Sequence, residues 1–492
     1  MTPSNFDPDF GSATDAAAAI RAKTISALEL TQHTFRRIDA YQPKLNAYVY
    51  QLRDQALAAA KQADDFIARG AAVGPLHGVP INVKESFAVA GQPCTWGIPG
   101  LKEAKAHRNS VAVRRLLEAG AILLGATNVP LFLMDGQSYN DIYGTTNNPW
   151  DVSRTPGGSS GGSAASLAAG LTFFSIGSDI GGSIRTPSSL CGIYGHKPTI
   201  DIVSQSGHAA GGVHNNPGFS TLLAVAGPMA RSAEDLELGL RILAGPEPPD
   251  ARAFSCTLPG PRHNRLGNCR IGYVLEDSAV PVSGETKAVV ESVIRACEKA
   301  GAVVKQGWPE NFVFSEMLET YLFLLGAFDF SMMPPERQHQ LRENMARRTD
   351  PMAKGSLSSF AEWQTKNLKR LGYRALWQKY FESFDVFLSP TVMTTAFPHD
   401  HSPINERKIP LPDGPAQPQL NMLAYISPAT LTGCPATTVP AGLSKSGLPV
   451  GLQIMGPYLE DATAIHFGAL LAREIGGFQS PPAFRRAAEA RT

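Results

Sequence analysis

Short apolar runs along this chain alternate with longer stretches in which apolar positions recur at helical spacing. The apolar runs predict β-strands and lie at residues 80–83, 121–124, 173–176, 269–274, 302–305 and 385–388. The helically spaced stretches predict α-helices and lie at residues 26–40, 56–69, 110–119, 164–169, 233–243 and 285–300. Strands and helices that alternate over short connections predict an α/β fold, in which a β-sheet is layered by helices.

One helix start carries a specific signature. Ser26 stands at the N-cap position, and Glu29 follows three residues later. In such a capping box, each side chain accepts a hydrogen bond from the backbone N–H of the other residue. We therefore predict that a helix begins at this serine, within a helical N-terminal segment that packs on the core.

The alternation stops between residues 311 and 420. Residues 337–348 and 360–384 predict charged amphipathic helices, and the proline-rich residues 398–418 predict a loop. We interpret 311–420 as a helical and loop insertion that lies over the functional site and lines its pocket. No low-complexity linker interrupts the chain, which favours a single large domain. Its predicted segments are an N-terminal helical segment (1–70), a core (71–310), the insertion (311–420) and a C-terminal return to the core (421–492).

Composition narrows the class of protein. The 492 residues are 43% hydrophobic, which suffices for a large core, and 44 basic residues balance 43 acidic ones. No block of lysine and arginine is present, so neither nucleic acid nor a membrane is an expected partner. The apolar stretch 321–328 is too short to span a bilayer, and the polar start lacks the pattern of a signal peptide. Six scattered cysteines predict reduced thiols and a cytoplasmic location.

Two glycine–serine clusters dominate the candidate chemistry. Residues 155–163 have the sequence TPGGSSGGS, and residues 178–187 have the sequence SDIGGSIRTP. Closely spaced glycines let the backbone turn tightly and present consecutive N–H groups to an anion. A serine in such a turn combines a nucleophilic hydroxyl with donors for an oxyanion. The clusters therefore predict a serine nucleophile beside an oxyanion hole.

Other motifs of this kind fit the sequence less well. Residues 157–161 match G-x-S-x-G, the nucleophile elbow of α/β-hydrolases, but the preceding stretch is polar and broken by proline rather than a strand. A phosphate-binding Walker A loop needs a Gly-Lys-Ser/Thr ending, which is absent here. The sequence contains no Ser-x-x-Lys motif, as in serine β-lactamases, and no His, Asp or Glu grouping with metal-ligand spacing.

The clusters are part of a longer series of motifs that resembles the amidase signature family. The further motifs are GVPINVK (78–84), TNVP (127–130), NNPW (147–150), CGIYGHKPT (191–199), GCPA (433–436) and GLPVGLQ (447–453). The resemblance spans almost the whole chain and is weakest over residues 250–420. It implies the amidase signature fold, with a central mixed β-sheet layered by α-helices. It also implies hydrolysis of carboxylic amides by a Ser–Ser–Lys triad without a cofactor.

Carried over by position, the resemblance implies Ser183 as the nucleophile, Ser159 as the bridging serine and Lys84 as the base. It further implies a cis peptide bond before Ser159. The backbone N–H groups of the implied oxyanion hole are those of Ile180, Gly181, Gly182 and Ser183. The sequence itself supports Lys84, because this lysine ends an apolar segment in which burial would lower its pKa from ~10.4 to about 7.

Other polar residues near these motifs receive supporting roles. Asp179 and Arg185 flank the nucleophile loop, and we interpret them as a structural ion pair that makes the loop rigid. His196 lies in a Gly-His-Lys-Pro motif and is interpreted as structural rather than as a general base. Gln137, Tyr139 and Asn140 are interpreted as polar side chains that either line the pocket wall or support its loops, and they are the candidate substrate-binding residues.

The favoured function is cleavage of the C–N bond of a small-molecule amide through an acyl-enzyme. No arginine or aspartate in 311–420 marks a charged substrate, so apolar or aromatic amides are expected, with esters and carbamates left open. One alternative is the amidase subunit of a tRNA-dependent amidotransferase, although that subunit type usually has Leu-Lys-Pro where this chain has His196-Lys197-Pro198. The other alternative is a non-catalytic binding protein. Formation of a homodimer is also left open.

Overall fold

The computed structural model describes residues 6–213, 221–248 and 250–485. Their α-helices are α1 (Ala13–Arg21), α2 (Ala27–Leu45), α3 (Arg53–Ala68), α4 (Val111–Glu118), α5 (Gly161–Ala168), α6 (Arg185–Cys191), α7 (Ala233–Leu243), α8 (Gly284–Lys299), α9 (Phe314–Ser331), α10 (Pro335–Ala346), α11 (Pro351–Ser356), α12 (Phe360–Ser383), α13 (Ser427–Thr432) and α14 (Asp461–Ile475). Their β-strands are β1 (Tyr48–Gln51), β2 (Pro80–Lys84), β3 (Ile122–Thr127), β4 (Tyr139–Asn140), β5 (Gly144–Thr145), β6 (Phe174–Asp179), β7 (Tyr194–Lys197), β8 (Val225–Ala230), β9 (Arg270–Tyr273), β10 (Val303–Gln306), β11 (Val386–Pro390), β12 (Lys408–Leu411), β13 (Gly414–Pro418), β14 (Ala436–Leu443) and β15 (Pro449–Met455).

A mixed sheet of 11 strands forms the centre of the molecule, in the order β1-β3-β2-β6-β8-β7-β14-β15-β11-β9-β10. β3, β2 and β6 are parallel to one another, as are β11, β9 and β10 at the other end. Every residue of β2, β3 and β6 is buried, because parallel strands are covered on both faces and therefore have near-continuous apolar sequences. This sheet confirms the predicted α/β fold.

The start of α2 confirms the predicted capping box. Ser26 Oγ accepts a hydrogen bond from the backbone N–H of Glu29 at 3.0 Å. Glu29 Oε2 accepts one from the backbone N–H of Ser26 at 2.9 Å. Two N–H groups near the helix start, which have no partner within the helix, are satisfied in this way.

Residues 311–420 contain four helices, one strand of the central sheet and a separate hairpin. Strand β11 pairs with β15 on one side and with β9 on the other. β12 and β13 form their own antiparallel pair, so the loop predicted over 398–418 is confirmed only as far as residue 407 and is wrong for the hairpin that follows. Prolines are tolerated there because both strands of a two-stranded sheet are edge strands, and Pro410 falls at a shift in register.

The two charged helices of this region bury different amounts of their surface. α12 buries Tyr373, Trp377 and Phe381, a spacing that matches its amphipathic pattern. α10 has no fully buried residue and only half-buries a face that includes Leu341 and Met345. Its amphipathic character is therefore weaker than the sequence predicts. No helix within the described ranges has both the length and the apolar character needed to cross a membrane.

The backbones of α9 and α11 are in close contact. A Cβ atom at Gly355 would overlap the carbonyl oxygen of Phe323, and one at Gly326 would overlap the carbonyl group of Met352. These two glycines therefore allow α11 to lie directly against α9.

We expect Gly355→Ala to destabilise the protein by about 1–3 kcal/mol, because the added methyl group must push the two helices apart. The matched control is Gly372→Ala in α12, where an added Cβ has no neighbour within 4 Å. That exposed change should instead stabilise the protein by up to ~1 kcal/mol through better helix propensity. Thermal unfolding followed by circular dichroism measures both effects. Equal unfolding temperatures for the two variants would contradict the packing argument.

Candidate active site

Two parallel strands end at the same edge of the sheet and bring polar side chains together. β2 ends at Lys84, and β6 ends with Ser178 and Asp179. Because β2 and β6 are parallel neighbours, their carboxyl ends meet, and Lys84 Nζ lies 2.9 Å from Ser178 Oγ. The sequence analysis assigned no role to Ser178. The pairing of two predicted parallel strands would have been the signal for it.

The predicted bridging serine and base are in contact. Ser159 lies just before α5 and follows a cis peptide bond to Gly158, as predicted. Its Oγ is 2.7 Å from Lys84 Nζ. Lys84 is fully buried, and Ser159 is 1% exposed. The lysine amine therefore has two serine hydroxyls as its hydrogen-bond partners in the interior of the protein.

The burial of Lys84 changes its acid–base chemistry. Removal from water penalises the ammonium form and lowers the pKa of Lys84 to about 7, although the negative charge of Asp179 opposes this shift. At neutral pH a large fraction of the side chain is therefore the neutral amine. A neutral amine within 2.7 Å of a serine hydroxyl is able to accept its proton.

Ser183 lies on the turn between β6 and α6, and a buried ion pair fixes this turn. Arg185 Nη2 is 2.8 Å from Asp179 Oδ1, and both side chains are fully buried. The Asp179 carboxylate also accepts hydrogen bonds from the backbone N–H groups of Gly182 at 2.9 Å and Ile184 at 3.1 Å. Burial alone would raise the pKa of Asp179, but Arg185 and these donors hold that pKa below its usual range. The predicted structural ion pair is confirmed.

The turn offers fewer free backbone donors than expected. The N–H of Gly182 is bonded to Asp179 and is therefore unavailable to an oxyanion, which corrects its inclusion in the oxyanion hole. The N–H groups of Ile180, Gly181 and Ser183 donate to no other residue within the described ranges. Three of the four expected donors thus remain free.

A cavity of about 290 Å³ opens at Ser183, which is 8% exposed. The Ser183 hydroxyl makes no hydrogen bond to Ser159 or to any other side chain in the part of the chain that the structure describes. The apolar side chains of the cavity wall include Leu133, Met134, Leu325, Met345, Met352 and Leu423. Asp135, Asp329 and Arg348 also line the cavity. Asp329 and Arg348 belong to 311–420, a region in which the sequence analysis found no arginine or aspartate that marks a charged substrate.

The three candidate substrate-binding residues do not line this cavity. The Gln137 side chain is bonded to the backbone of Asp400, through Nε2 at 2.6 Å and Oε1 at 3.1 Å. Tyr139 Oη accepts a hydrogen bond from Arg407 at 2.6 Å. Asn140 Oδ1 accepts bonds from two backbone N–H groups that follow it. All three side chains therefore support loops and none belongs to the wall of this cavity, while a role for them in substrate binding stays a prediction.

His196 lies in the protein core, as its structural interpretation predicts. Its ring is fully buried, with Nδ1 2.9 Å from Thr437 Oγ1 and Nε2 3.1 Å from Asp461 Oδ1. Burial lowers the pKa of His196 despite the adjacent carboxylate. Among the described residues, no three His, Cys, Asp or Glu side chains are grouped as metal ligands.

Known proteins resemble this chain in sequence and in fold. The family model described as Amidase matches residues 29–465. The chain belongs to the amidase signature family. One curated relative is a glutamyl-tRNA(Gln) amidotransferase subunit of Trichormus variabilis, 32% identical over 469 residues, with 89% of this chain and 92% of that protein covered. The corresponding protein of Anaeromyxobacter dehalogenans is 35% identical, with 95% and 97% covered.

Solved structures of this family have the same fold. A bacterial aryl acylamidase of the amidase signature family is 26% identical, with a TM-score of 0.79 over 97% of this chain and 98% of that chain. A fatty acid amide hydrolase, at 24% identity, has a TM-score of 0.79 over 97% of this chain and 87% of that chain. The second likeness shows the fold alone. The chain is therefore similar to proteins with different substrates in their names.

We expect Arg185→Leu to destabilise the protein by about 3–5 kcal/mol, because it leaves the buried Asp179 carboxylate without its partner. The control is Arg114→Leu, which removes an exposed ion pair of 2.8 Å with Glu118 and should cost less than about 1 kcal/mol. Thermal unfolding of both variants measures the difference. A similar loss in both would show that the buried pair does not hold the turn.

Proposed function

We propose that this enzyme hydrolyses carboxylic amides through an acyl-enzyme on Ser183. Neutral Lys84 takes a proton from Ser159, which takes the proton of Ser183 as the Ser183 oxygen attacks the carbonyl carbon. The C–N bond then breaks while the same relay returns a proton to the leaving amine. Water attacks the resulting ester and releases the acid.

The observation that carries this proposal is the 2.7 Å contact between the buried Lys84 Nζ and Ser159 Oγ. The segment of Ser159 is held beside the nucleophile turn, because the backbone N–H of Ser160 donates to the carbonyl oxygen of Ser183 at 3.2 Å. The free N–H groups of Ile180, Gly181 and Ser183 would stabilise the oxyanion. Each such donor typically contributes roughly 10²–10³ in rate.

The cavity supports an apolar or aromatic amide as the main part of the substrate. Leucine and methionine side chains form much of its wall, and such surfaces bind apolar groups without directional demands. Esters and carbamates present the same carbonyl geometry to the nucleophile and are included in the proposed substrate class.

A second candidate function is that of an amidotransferase subunit, which the names and coverage of the curated relatives favour. The difference from Leu-Lys-Pro at His196 does not decide between the two functions, because that ring is enclosed by Thr437 and Asp461 rather than facing the cavity. Activity without a partner protein does decide. An amidase acts alone on a simple amide, whereas an amidotransferase subunit without its partner, or a non-catalytic binding protein, would turn over none.

The purified chain should hydrolyse members of a panel of alkyl and aryl amides, and a fluorophosphonate probe should label the peptide that contains Ser183. Ser183→Ala should lose both properties, while chelators should leave the activity unchanged. Ser189→Ala is a suitable control, because Ser189 is a buried serine of α6 that lines no part of the cavity. Labelling of another serine, by mass spectrometry, would refute the assignment of the nucleophile.

The value of kcat/KM for an amide should rise with pH through about 7 and then level, because the base acts only in its neutral form and the pKa of Lys84 lies at about 7. Lys84→Ala should abolish this rise of kcat/KM near pH 7, which is the acidic limb of the pH profile, and lower kcat/KM for amides by ~10²–10⁴-fold. Activated esters should lose less, because their leaving groups need no proton.

Lys197→Gln is the control for this pH profile. Lys197 is also fully buried, and burial with the adjacent charge of Arg185 lowers its pKa to about 8. Its Nζ donates to the Pro198 carbonyl and does not reach the cavity. The limb near pH 7 should therefore persist in Lys197→Gln. If Lys84→Ala retained amide turnover within about tenfold of the unaltered enzyme, another group would have to be the base.

A further inference from the structure

Helix α9 connects the nucleophile turn to the far part of the cavity wall. Tyr321 Oη donates a hydrogen bond to the carbonyl oxygen of Ile180 at 2.8 Å, on the turn that carries Ser183. Leu325 and Asp329 follow at steps of four residues, so they lie on the same face of the helix, and both line the cavity. Eight residues correspond to about 12 Å along a helix axis. Asp329 is therefore about two turns of helix away from the residue that holds the turn.

The other charged residues of the cavity wall are paired within the protein. Asp135 Oδ2 is 2.6 Å from Arg407 Nη1, and both side chains are almost fully buried. Arg348 Nε is 2.7 Å from Asp350 Oδ2. These two pairs contribute no net charge to the cavity.

Asp329 differs from both pairs, because its carboxyl group makes no hydrogen bond or ion pair with any residue in the described ranges. Asp329 is half-buried in the cavity wall, and the burial that it does have raises the pKa of its carboxyl group to about 7. A partly buried carboxylate without a donor is costly. No contact with the protein explains why an aspartate stands at this position of the cavity wall.

We propose that Asp329 is a specificity-determining residue that binds a protonated primary amine carried by the substrate at the end remote from the scissile amide. The substrate class is then an amine-bearing amide with an apolar middle portion, which matches Leu325 between Tyr321 and Asp329 on α9 and the leucine and methionine side chains elsewhere in the cavity wall. An ammonium supplies the missing donor and the opposite charge in one group. This inference rests on the proposed function, since it names the substrate of the same site.

The test compares p-nitroanilides of ω-amino acids having four to eight carbons with those of the corresponding fatty acids, which end in a methyl group. A second series places the amine or methyl group on the leaving amine. At pH 8 Asp329 is mostly ionised, whereas an alkyl ammonium with a pKa of ~10.4 retains its proton. We expect at least one series to show a tenfold or greater preference in kcat/KM for the ammonium substrate.

Asp329→Asn should remove this preference, by lowering kcat/KM at least tenfold for ammonium substrates and less than threefold for methyl substrates. Asp329→Glu keeps the charge and should keep the preference. Glu336→Gln removes an exposed carboxylate from α10 and should leave both values unchanged. No preference in either series, or an equal loss for both substrate types in Asp329→Asn, would overturn the proposal while leaving the proposed hydrolase function intact.

Binding separates a failure of this proposal from a failure of the proposed function. Calorimetry of Ser183→Ala protein with hexylamine and with hexanol reports on Asp329 without any turnover. Tighter binding of hexylamine, lost when Asp329→Asn is added, supports the amine site. Equal binding of the two ligands overturns it. Absence of all turnover and of Ser183 labelling would instead refute the hydrolase function.

Discussion

The buried ion pair between Asp179 and Arg185 is the interaction on which the site depends. A carboxylate in the interior is tolerated only when several donors surround it. Asp179 obtains three of these from backbone N–H groups of the following turn and two more from the Arg185 guanidinium. The shape of the turn is thus determined by the demand of one charge for donors. The N–H of Gly182 is one of these donors, whereas the N–H groups of Gly181 and Ser183 on either side of it are not bonded to any described residue.

The same carboxylate also influences the base. Burial destabilises the ammonium form of Lys84 and lowers its pKa, whereas the negative charge of Asp179 stabilises that form and opposes part of the shift. The resulting pKa of about 7 lets both protonation states occur at neutral pH, as a proton relay requires. Arg185 further bonds to the Ile426 carbonyl, Thr430 Oγ1 and Gln453 Oε1. The pair therefore connects the nucleophile turn to the C-terminal part of the chain.

Much of this arrangement follows from the sequence, and the errors have identifiable physical reasons. Apolar runs marked the strands β2 and β6, and motif positions marked Lys84, Ser159 and Ser183. The choice between pocket wall and loop support for Gln137 stayed open because the sequence of a polar loop does not show which way each side chain points. Its near neighbour Asp135 lines the cavity instead. The involvement of Gly182 with a carboxylate was missed because backbone donors have no sequence signal of their own.

The cavity is lined both by the nucleophile turn, whose backbone is tightly fixed, and by the segment α9 to α11, whose side chains are less tightly packed. The turn from Asp179 to Arg185 is fixed by a buried charge, so few substitutions there would preserve its donors. Another part of the wall comes from the segment α9 to α11, where side chains such as Met345 on α10 are only partly buried and packing restricts them less. Relatives with different substrates in their names share the fold. Because α9 holds the turn through Tyr321 and lines the cavity with Leu325 and Asp329, we expect a change at either of these two side chains to alter substrate recognition while Tyr321 keeps the turn in place.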